Sequence, residues 1–526
     1  MKRDLAALQG HRFDLLVCGG GIYGAWTAYD AALRGLKVAI VDQHDWAGAT
    51  SSSSSKLVHG GLRYLETYDF KLVRKALRER GLLLRNAPHR VWPLRFGVPL
   101  YTGGRIGALR LQAGLLLYDL LAGCMGKGMR HRRFPRSEFA AHFPALDKKE
   151  LRGGYTYADA QTDDARLVLE LIAGAMQVGA VCVNHCKVLQ LVEQDGKACG
   201  ALVEDQLTHT RIEVSAAHIV NTSGAWEAAT PESNAWCRLS KGVHLILPAL
   251  DHDAALLLTA PVGGRVFFII PWYGRTLLGT TDTDYRGDVA QVKVEADDIT
   301  YLLASANYYL KTRWTEADVL GSYAGLRVLK KDGAAKGSPS SLSRDWELHE
   351  SHNGTLHSIG GKLTSSREDA ASIVDTVCAR LGIHAPCPTQ SKMFPWAPQE
   401  DYAAWSTATC TQALQLGVDQ ESATWLLRRH GKHVVEIMRD VKNDPRLAER
   451  ILPALPFIYA DLLFCARNEM VVHLDDLLRR RIPLLILARL SADELQRLGD
   501  AVAPVLGWDV ARLSREIETC RHEPQP

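Results

Sequence analysis

The sequence predicts an α/β protein whose C-terminal part is a separate helical domain. A pattern of strand, glycine-rich turn, helix and strand opens the chain between Phe13 and Asp42. The runs VFFIIPW and RTLLGTTDTDY, between residues 266 and 285, have the β-branched and aromatic content of paired strands. After the proline-rich stretch 386–398, leucine, alanine and arginine recur at helical spacing. In a chain of 526 residues, these patterns predict two or three domains, the last of them helical and covering 400–526.

The composition narrows the class of protein. The chain has 62 basic and 59 acidic residues, and this balance argues against a nucleic-acid-binding protein. Its 11 cysteines have no framework spacing, which indicates reduced thiols and a cytoplasmic location. Cys182 and Cys186 lie close together, but no second pair completes a tetrahedral zinc site. We therefore expect no metal.

The most apolar stretch, Leu109 to Leu121, falls short of the roughly 20 residues that span a bilayer. The N-terminal residues do not have the pattern of a secretion signal. Basic residues flank the apolar stretch from Arg105 to Arg133. Two interpretations remain open: an ordinary buried helix, or peripheral contact with anionic lipid on the inner face of the cytoplasmic membrane.

The glycine-rich turn near the N-terminus predicts a Rossmann-like dinucleotide-binding domain. Gly19, Gly21 and Gly24 form GxGxxG between the first strand and the first helix. Glycines at this spacing allow a tight turn and let a pyrophosphate approach the helix N-terminus. Asp42 ends the second strand, where a carboxylate can bind the adenosine ribose.

Two further stretches favour FAD over NAD as the dinucleotide. The strand AHIVNTSGAW, from Ala217 to Trp226, ends in a small-residue turn of the kind that returns the chain to the cofactor in many flavoproteins. The serine run Ser51 to Ser55 is either a solvated loop or a lining of the cofactor pyrophosphate and ribityl chain. Its place shortly after Asp42 favours the lining.

The segment SSSSSKLVHGGLRYLE, from Ser51 to Glu66, closely resembles the signature of FAD-dependent glycerol-3-phosphate dehydrogenases. Similar stretches follow in the family's order: TDDARLVLE, KGVHLILP, IPWYGRTLLGTTDTDY, AGLRVL, SRDWEL and GGKLTSSRE. The resemblance covers residues 12–375, and NEMVVHLDDLLRRRIPL from Asn468 resembles the family's C-terminal domain.

The resemblance implies a Rossmann-like FAD-binding domain over 1–395, with an interleaved mixed-sheet substrate domain at 65–155 and 225–325. It also implies oxidation of sn-glycerol 3-phosphate to dihydroxyacetone phosphate by hydride transfer to flavin. The electrons would pass to quinone or to oxygen. A homodimer is an open alternative to a monomer.

Several residues match positions that the family uses around the substrate. Arg327 and Arg344 match residues near the substrate phosphate, which the planar fork of a guanidinium pairs well. Arg63 and Tyr64 match another wall of that pocket, and Thr280 offers a hydroxyl nearby.

Arg327, His244 and Lys362 are the expected catalytic residues. His244 is the candidate base for the substrate hydroxyl, although a lone histidine in VHLILP is also typical of a core and His59 competes for the role. Lys362 is placed to stabilise negative charge on the flavin. The alternative interpretation is that this lysine has only a structural role, as a cap at the edge of a helix.

The expected cofactor contacts lie in the glycine-rich and serine-rich stretches. They are Gly19, Gly21, Gly24, Asp42, Thr50, Ser51, Ser52, Lys56, His59, Gly60, Gly224, Gly361, Lys362, Leu363 and Thr364.

Two departures from the family pattern leave the substrate open. Val328 follows Arg327 where proline is typical, and Ser366 stands where the family carries tyrosine. Another polyol phosphate, such as a tetritol phosphate, is therefore an alternative substrate. An amine or amino-acid oxidase shares the N-terminal fingerprint, but HGGLRYLE and LSRD argue against it. A non-enzymatic flavin-binding scaffold is a further alternative, and it would leave the phosphate-pairing residues without a purpose.

Overall fold

In a computed structural model that describes residues 1–123, 127–229, 236–330 and 345–522, the strands form two sheets. The strands are β1 (Arg12–Cys18), β2 (Val38–Val41), β3 (Leu57–Val58), β4 (Val91–Tyr101), β5 (Arg132–Pro135), β6 (Leu151–Thr162), β7 (Val181–Val183), β8 (Cys186–Gln194), β9 (Lys197–Asp205), β10 (Arg211–Asn221), β11 (Cys237–Pro248), β12 (Ala255–Thr259), β13 (Val266–Trp272), β14 (Arg275–Gly279), β15 (Thr283–Tyr285), β16 (Gly321–Lys330), β17 (Glu347–Glu350) and β18 (Leu356–Ile359).

Helices cover the sheets and make up the C-terminal part of the chain. They are α1 (Ile22–Leu33), α2 (Phe70–Asn86), α3 (Ala108–Leu121), α4 (Arg136–His142), α5 (Asp164–Gln177), α6 (Ala296–Asn307), α7 (Ser366–Leu381), α8 (Tyr402–Gln415), α9 (Gln420–His430), α10 (Val434–Asn443), α11 (Tyr459–Asn468), α12 (Leu474–Asp476), α13 (Leu484–Leu487), α14 (Ala492–Leu506) and α15 (Val510–His522). A π-helical turn, Leu477–Arg481, continues α12.

The first sheet has the strand order β17-β18-β10-β1-β2-β7, and β9 and β8 extend it from β10. Strands β18, β10, β1, β2 and β7 run parallel. Helices α1, α5 and α7 pack on one face through a core that includes Leu15, Val17, Ile40, Val168 and Ile373. Because parallel strands end at one edge, the residues that follow β1, β2, β10 and β18 meet there.

The second sheet has the order β15-β11-β14-β13-β12-β4-β6-β3, with β16 beside β11 and β5 beside β6. Val243 and Leu245 of β11 point into a core against Leu302 and Leu303 of helix α6. Since side chains alternate along a strand, His244 and its neighbours at even positions face the other way, toward the first sheet.

The predicted fold class is confirmed by these elements. The glycine turn lies between β1 and α1, strands β13 and β14 pair antiparallel, and helices follow one another from Tyr402 to His522. The chain passes between the two sheets several times before the helical part. The domain limits drawn from the sequence stay a prediction.

Helix α3, which contains the predicted apolar stretch, is not an ordinary buried helix. Leu111 and Leu115 are buried, whereas Leu109 and Leu120 lie exposed on its other side. Within the described ranges, no helix is both long enough and apolar enough to cross a membrane.

Buried ion pairs attach the helical C-terminal part to the loop that follows β2. Asp45 Oδ2 accepts a hydrogen bond from Arg480 Nε at 2.5 Å, and Asp45 Oδ1 accepts one from Arg481 Nη2 at 2.9 Å. Asn184 Nδ2 donates to the same carboxylate at 3.1 Å. A second pair joins Arg166 of α5 to Glu469, with Nη2 and Oε1 2.8 Å apart. The helical part therefore braces the edge at which the parallel strands end.

We predict that Asp45→Ala strongly lowers the melting temperature of the protein. The change leaves two buried guanidinium groups without their shared carboxylate, and breaking a buried ion pair costs about 3–5 kcal/mol. Differential scanning calorimetry measures the effect.

The matched control is Glu347→Ala, which removes the carboxylate of an exposed ion pair with Lys330. Exposed pairs contribute little to stability, so its melting temperature should stay close to that of the unmodified protein. Equal melting temperatures for the two variants would contradict the bracing role of Asp45.

Candidate functional site

A cavity of about 950 Å³ lies between the carboxyl edge of the parallel strands and the second sheet. Its walls come from the residues that follow β1, β2, β10 and β18, and from β11, β16 and the segment 280–282. Ligands of parallel α/β sheets bind at this kind of edge.

The predicted glycine turn forms one end of the cavity. Gly19 has a φ of +112°, and a Cβ there would lie 2.7 Å from the Thr222 carbonyl oxygen. A Cβ on Gly24 would lie 1.8 Å from the carbonyl oxygen of Gly19. Helix α1 starts directly after Gly21, which has no side chain to cap it, and Gly21 and Ile22 line the cavity. The turn thus presents backbone N–H groups and the positive end of a helix dipole, which together suit a pyrophosphate.

Asp42 faces the same end of the cavity. Its Oδ2 accepts a hydrogen bond from the Gly20 N–H at 2.6 Å, and its Oδ1 accepts one from the His44 N–H at 2.8 Å. Burial raises the pKa of Asp42 to about 6, although the two backbone donors oppose that rise. The carboxylate therefore stiffens the glycine turn and keeps lone pairs for the hydroxyl groups of a ribose.

The serine run wraps along the cavity. Ser51 Oγ accepts a hydrogen bond from the Ile22 N–H at 2.9 Å, and Thr50 Oγ1 donates to the Leu326 carbonyl oxygen at 2.7 Å. Thr50 and Ser51 line the cavity, whereas Ser52 Oγ turns back to donate to Ala49.

Lys56 was expected to contact the cofactor, but its ammonium group is paired with Asp164. Its Nζ is buried 2.5 Å from Asp164 Oδ1 and donates to the Ser52 carbonyl oxygen at 2.6 Å. The ammonium group therefore holds the backbone of the serine run in place and does not line the cavity.

The segment after β18 forms another wall. A Cβ on Gly361 would lie 1.7 Å from the Tyr23 hydroxyl oxygen, which accepts a hydrogen bond from the Lys362 N–H at 3.0 Å. Lys362 Nζ lies 3.6 Å from the centroid of the Tyr64 ring, a cation–π distance. Lys362 and Tyr64 both line the cavity, as expected from the sequence.

Of the remaining expected cofactor residues, four line the cavity and one, Gly60, does not. The His59 N–H donates to Thr364 Oγ1 at 3.1 Å, and both residues line the cavity together with Leu363 and Gly224. Gly60 acts through packing, because a Cβ there would lie 2.4 Å from a methyl carbon of Leu77.

The register of β11 against its neighbours builds the opposite wall. His244 pairs with Gly279 of β14, and a Cβ on Gly279 would lie 2.1 Å from the His244 ring. A Cβ on Gly242 would lie 2.3 Å from the guanidinium of Arg327 on β16. Each glycine is thus a site where a neighbouring polar side chain occupies the space of a Cβ.

His244 is buried in this wall. Its Nε2 is 2.8 Å from Ser55 Oγ, and its ring stacks on Tyr323 with centroids 5.0 Å apart. Among the described residues, its Nδ1 has no hydrogen-bond partner. Burial and the positive charges of Arg327 and Lys56 hold the pKa of His244 well below its ordinary value of 6.5. The imidazole is therefore neutral near pH 7 and is able to accept a proton.

Arg327 is fixed beside His244. Its Nη2 donates to Thr280 Oγ1 at 2.7 Å, and its Nη1 donates to the Thr281 carbonyl oxygen at 3.2 Å. Asp282 Oδ1 lies 3.3 Å from the same Nη1. Arg265 donates to the carbonyl oxygen of Asp282, and both arginines line the cavity. Two guanidinium groups thus meet at one carboxylate residue, and the net positive charge that they leave suits a phosphate.

Four other residues that the sequence analysis singled out differ in where they lie. Arg63 lines the cavity, with its guanidinium carbon 5.6 Å from the Tyr64 ring centroid. Arg344 lies outside the described residues. Of the two departures from the family pattern, Val328 lines the cavity, whereas Ser366 starts α7 and its Oγ donates to the Leu363 carbonyl oxygen at 2.8 Å.

Sequence reasoning missed Ser55, Arg265, Gly242, Gly279 and Tyr23. Ser55 could have been identified from the sequence, because it belongs to the serine run and to the matched signature. Glycines at positions 242 and 279 interrupt apolar strands, which is a sign of close approach by another group. Arg265 and Tyr23 carry no comparable signal.

Two buried groups of three potential metal ligands occur in the described part of the chain. One is His430, Asp461 and Cys465, and the other is Asp45, His185 and Asp476. Arginines already pair with their carboxylates, Arg429 with Asp461 and Arg481 with Asp45. We interpret both groups as ion-pair clusters, and the expectation of no metal stays a prediction.

Comparisons with known proteins agree with the geometry. The family model for FAD-dependent oxidoreductases matches residues 14–367, and the model for the C-terminal domain of alpha-glycerophosphate oxidase matches residues 395–513. A glycerol-3-phosphate dehydrogenase of Synechocystis is 35% identical over 98% of this chain and 97% of its own. An aerobic glycerol-3-phosphate dehydrogenase of Bacillus subtilis is 34% identical over 91% of this chain and 89% of its own.

The crystal structure of the glycerol-3-phosphate dehydrogenase from Bacillus halodurans complexed with FAD is similar, with a TM-score of 0.79 and 28% identity. The similarity covers 98% of this chain and 95% of that one. FAD fits the site observed here, because the glycine turn, the start of α1 and Asp42 suit an adenine dinucleotide. The resemblance inferred from the sequence is confirmed, and the chain belongs to the family of FAD-dependent oxidoreductases.

Proposed function

We propose that this enzyme oxidises sn-glycerol 3-phosphate to dihydroxyacetone phosphate. The observation that carries the proposal is the wall in which a neutral imidazole, His244, lies beside the guanidinium of Arg327. Oxidation of a phosphorylated alcohol needs a proton acceptor and a phosphate-binding cation close together. The names of the curated relatives support the same substrate.

The chain's own residues would divide the work as follows. Arg327, held by Thr280, binds the phosphate without having to reorganise, and Arg265 adds a second positive charge. His244 receives the proton of the C2 hydroxyl. Bound FAD supplies the acceptor for the hydride that leaves C2.

Lys362, Arg63 and Tyr64 would close the other side of the substrate. The Lys362 ammonium, stacked on the Tyr64 ring, places positive charge at the wall where the flavin would lie. We also retain Arg344 as a phosphate ligand, on the strength of the matched motif alone.

The direct experiment is anaerobic mixing of the FAD-loaded protein with sn-glycerol 3-phosphate while the absorbance of oxidised flavin is followed. We expect rapid bleaching with this compound and none with glycerol, because glycerol has no phosphate group to pair with the guanidinium groups. Flavin that stays oxidised with glycerol 3-phosphate but bleaches with a tetritol phosphate would move the proposal to that substrate. Val328, which lines the cavity where the family has proline, is the observation that favours this alternative.

We predict that Gly242→Ala weakens substrate binding and leaves the flavin content unchanged. The new Cβ would lie 2.3 Å from Arg327 Nη2, so the guanidinium must move away. Loss of a charge-assisted hydrogen bond of about 1.5–3 kcal/mol corresponds to a rise in KM of roughly 10- to 100-fold. Steady-state kinetics with sn-glycerol 3-phosphate measures it.

Gly128→Ala is the control, since a Cβ at that position meets no atom of the described residues within 4 Å. Its KM should equal that of the unmodified protein. If Gly242→Ala behaves like this control, Arg327 does not bind the phosphate.

We also propose that electrons leave to a quinone in the membrane and that α3 provides the contact with lipid. Leu109, Leu116 and Leu120 are 87%, 55% and 69% exposed, and Tyr68 nearby is 77% exposed. Arg105 and the basic residues after the helix complement an anionic lipid surface.

Co-sedimentation with phosphatidylglycerol vesicles tests this contact. We expect binding that weakens with salt and falls sharply when Leu109, Leu116 and Leu120 are all changed to serine. A control that changes the exposed leucines Leu189, Leu207 and Leu414 to serine should bind normally. Equal binding by the two triple variants, or none by the unmodified protein, would argue against the lipid contact and leave oxygen as the acceptor to examine.

A further inference from the structure

Ser55 and His244 both line the cavity, and Ser55 is the more exposed of the two. The His244 residue is 2% exposed, and of its two ring nitrogens Nε2 meets Ser55 Oγ at 2.8 Å. Nδ1 is buried without a hydrogen-bond partner among the described residues. Ser55 itself is half-buried and lines the cavity. Because one ring nitrogen of His244 is buried and the other already bonds Ser55, the Ser55 hydroxyl is the better placed of the two groups to meet a substrate hydroxyl.

The serine is held in this position from several sides. The Tyr323 hydroxyl donates to the Ser54 carbonyl oxygen at 2.7 Å, and Ser54 Oγ donates to Asp164 at 2.6 Å. The Lys56 N–H donates to Ser54 Oγ at 3.0 Å. Because both residues next to Ser55 are fixed, its backbone holds the Cβ atom within reach of His244.

We infer that Ser55 is a catalytic residue that relays the substrate proton to His244. The inference rests on the proposed function and deepens it, since it names the group that touches the reacting hydroxyl. The sequence places this serine in a run expected to line the cofactor, and nothing in the sequence assigned it a part in proton transfer.

The relay conserves protons and electrons. The C2 hydroxyl proton passes to Ser55 Oγ while the Ser55 proton passes to His244 Nε2. The C2 hydrogen leaves with its electron pair to the FAD that the established family supplies, and the C2–O bond becomes a carbonyl. Ser55 ends as a neutral hydroxyl and His244 as an imidazolium, next to the negative charge of the phosphate that Arg327 would hold.

The first test measures the limiting rate of flavin reduction in mixtures of H₂O and D₂O with the unmodified FAD-loaded protein. Two protons moving in one step give a curved dependence on the deuterium fraction, which we expect. A linear dependence means that one proton moves directly to His244, and it would overturn the relay.

Variants of Ser55 provide the second test. Ser55→Ala should lower the limiting rate by about 100-fold, the lower end of the usual contribution of proton transfer, without changing KM or flavin content. Ser55→Thr keeps a hydroxyl and should restore most of the rate. An alanine variant as fast as the unmodified protein, or a threonine variant as slow as the alanine one, contradicts the inference.

A third measurement needs no substrate and so separates this inference from the proposed function. In FAD-loaded protein with ¹⁵N-labelled histidine, the signals of His244 are those missing from His244→Asn. Ser55→Ala should shift the Nε2 signal and leave that of Nδ1 nearly unchanged. If neither signal moves, Ser55 does not contact the imidazole and the relay is excluded, whatever the substrate is. Failure of glycerol 3-phosphate to bleach the flavin while Nε2 still shifts would instead count against the substrate alone and support the contact on which the relay depends.

Discussion

The register of β11 between β14 and β16 is the constraint on which the reacting end of the site depends. It sets His244 opposite Gly279 and Tyr323, and it sets Arg327 opposite Ser240, next to the space left by Gly242. All of these residues lie on one face of the sheet, because side chains alternate along a strand. A slip of one residue would turn His244 into the hydrophobic core and Val243 into the cavity. The two glycines therefore specify the site as much as the polar residues do.

Electrostatics then give the two ends of the cavity different properties. At the dinucleotide end, the start of α1 and the backbone N–H groups near Gly21 favour anions, and Asp42 sits close to them. At the other end, burial, together with the positive charges of Arg327 and Lys56, lowers the pKa of His244 and keeps it neutral. The charge of Arg327, which would attract a phosphate, thus also helps to prepare the proton acceptor, so substrate binding and base function depend on one arrangement.

The part of the site that is local in sequence could be predicted, and the part that depends on distant pairing could not. Gly19, Gly24 and Asp42 follow from one βαβ unit, whose geometry is set by short-range rules. The fold class followed from the same unit, the paired strands and the helical tail. Lys56 was expected at the cofactor, but its partner Asp164 is 108 residues away, and the sequence does not reveal that pairing. Likewise, the contact between Ser55 and His244 joins two segments 189 residues apart.

We propose that the substrate binds on the adjoining faces of β11 and β16 and is oxidised there by the bound flavin. A crystal structure of the FAD-loaded protein with dihydroxyacetone phosphate would test this placement. We expect the phosphate within hydrogen-bond distance of Arg327 and the ketone oxygen within hydrogen-bond distance of Ser55 Oγ. A phosphate bound away from Arg327, with the ketone oxygen remote from Ser55 and His244, would contradict it.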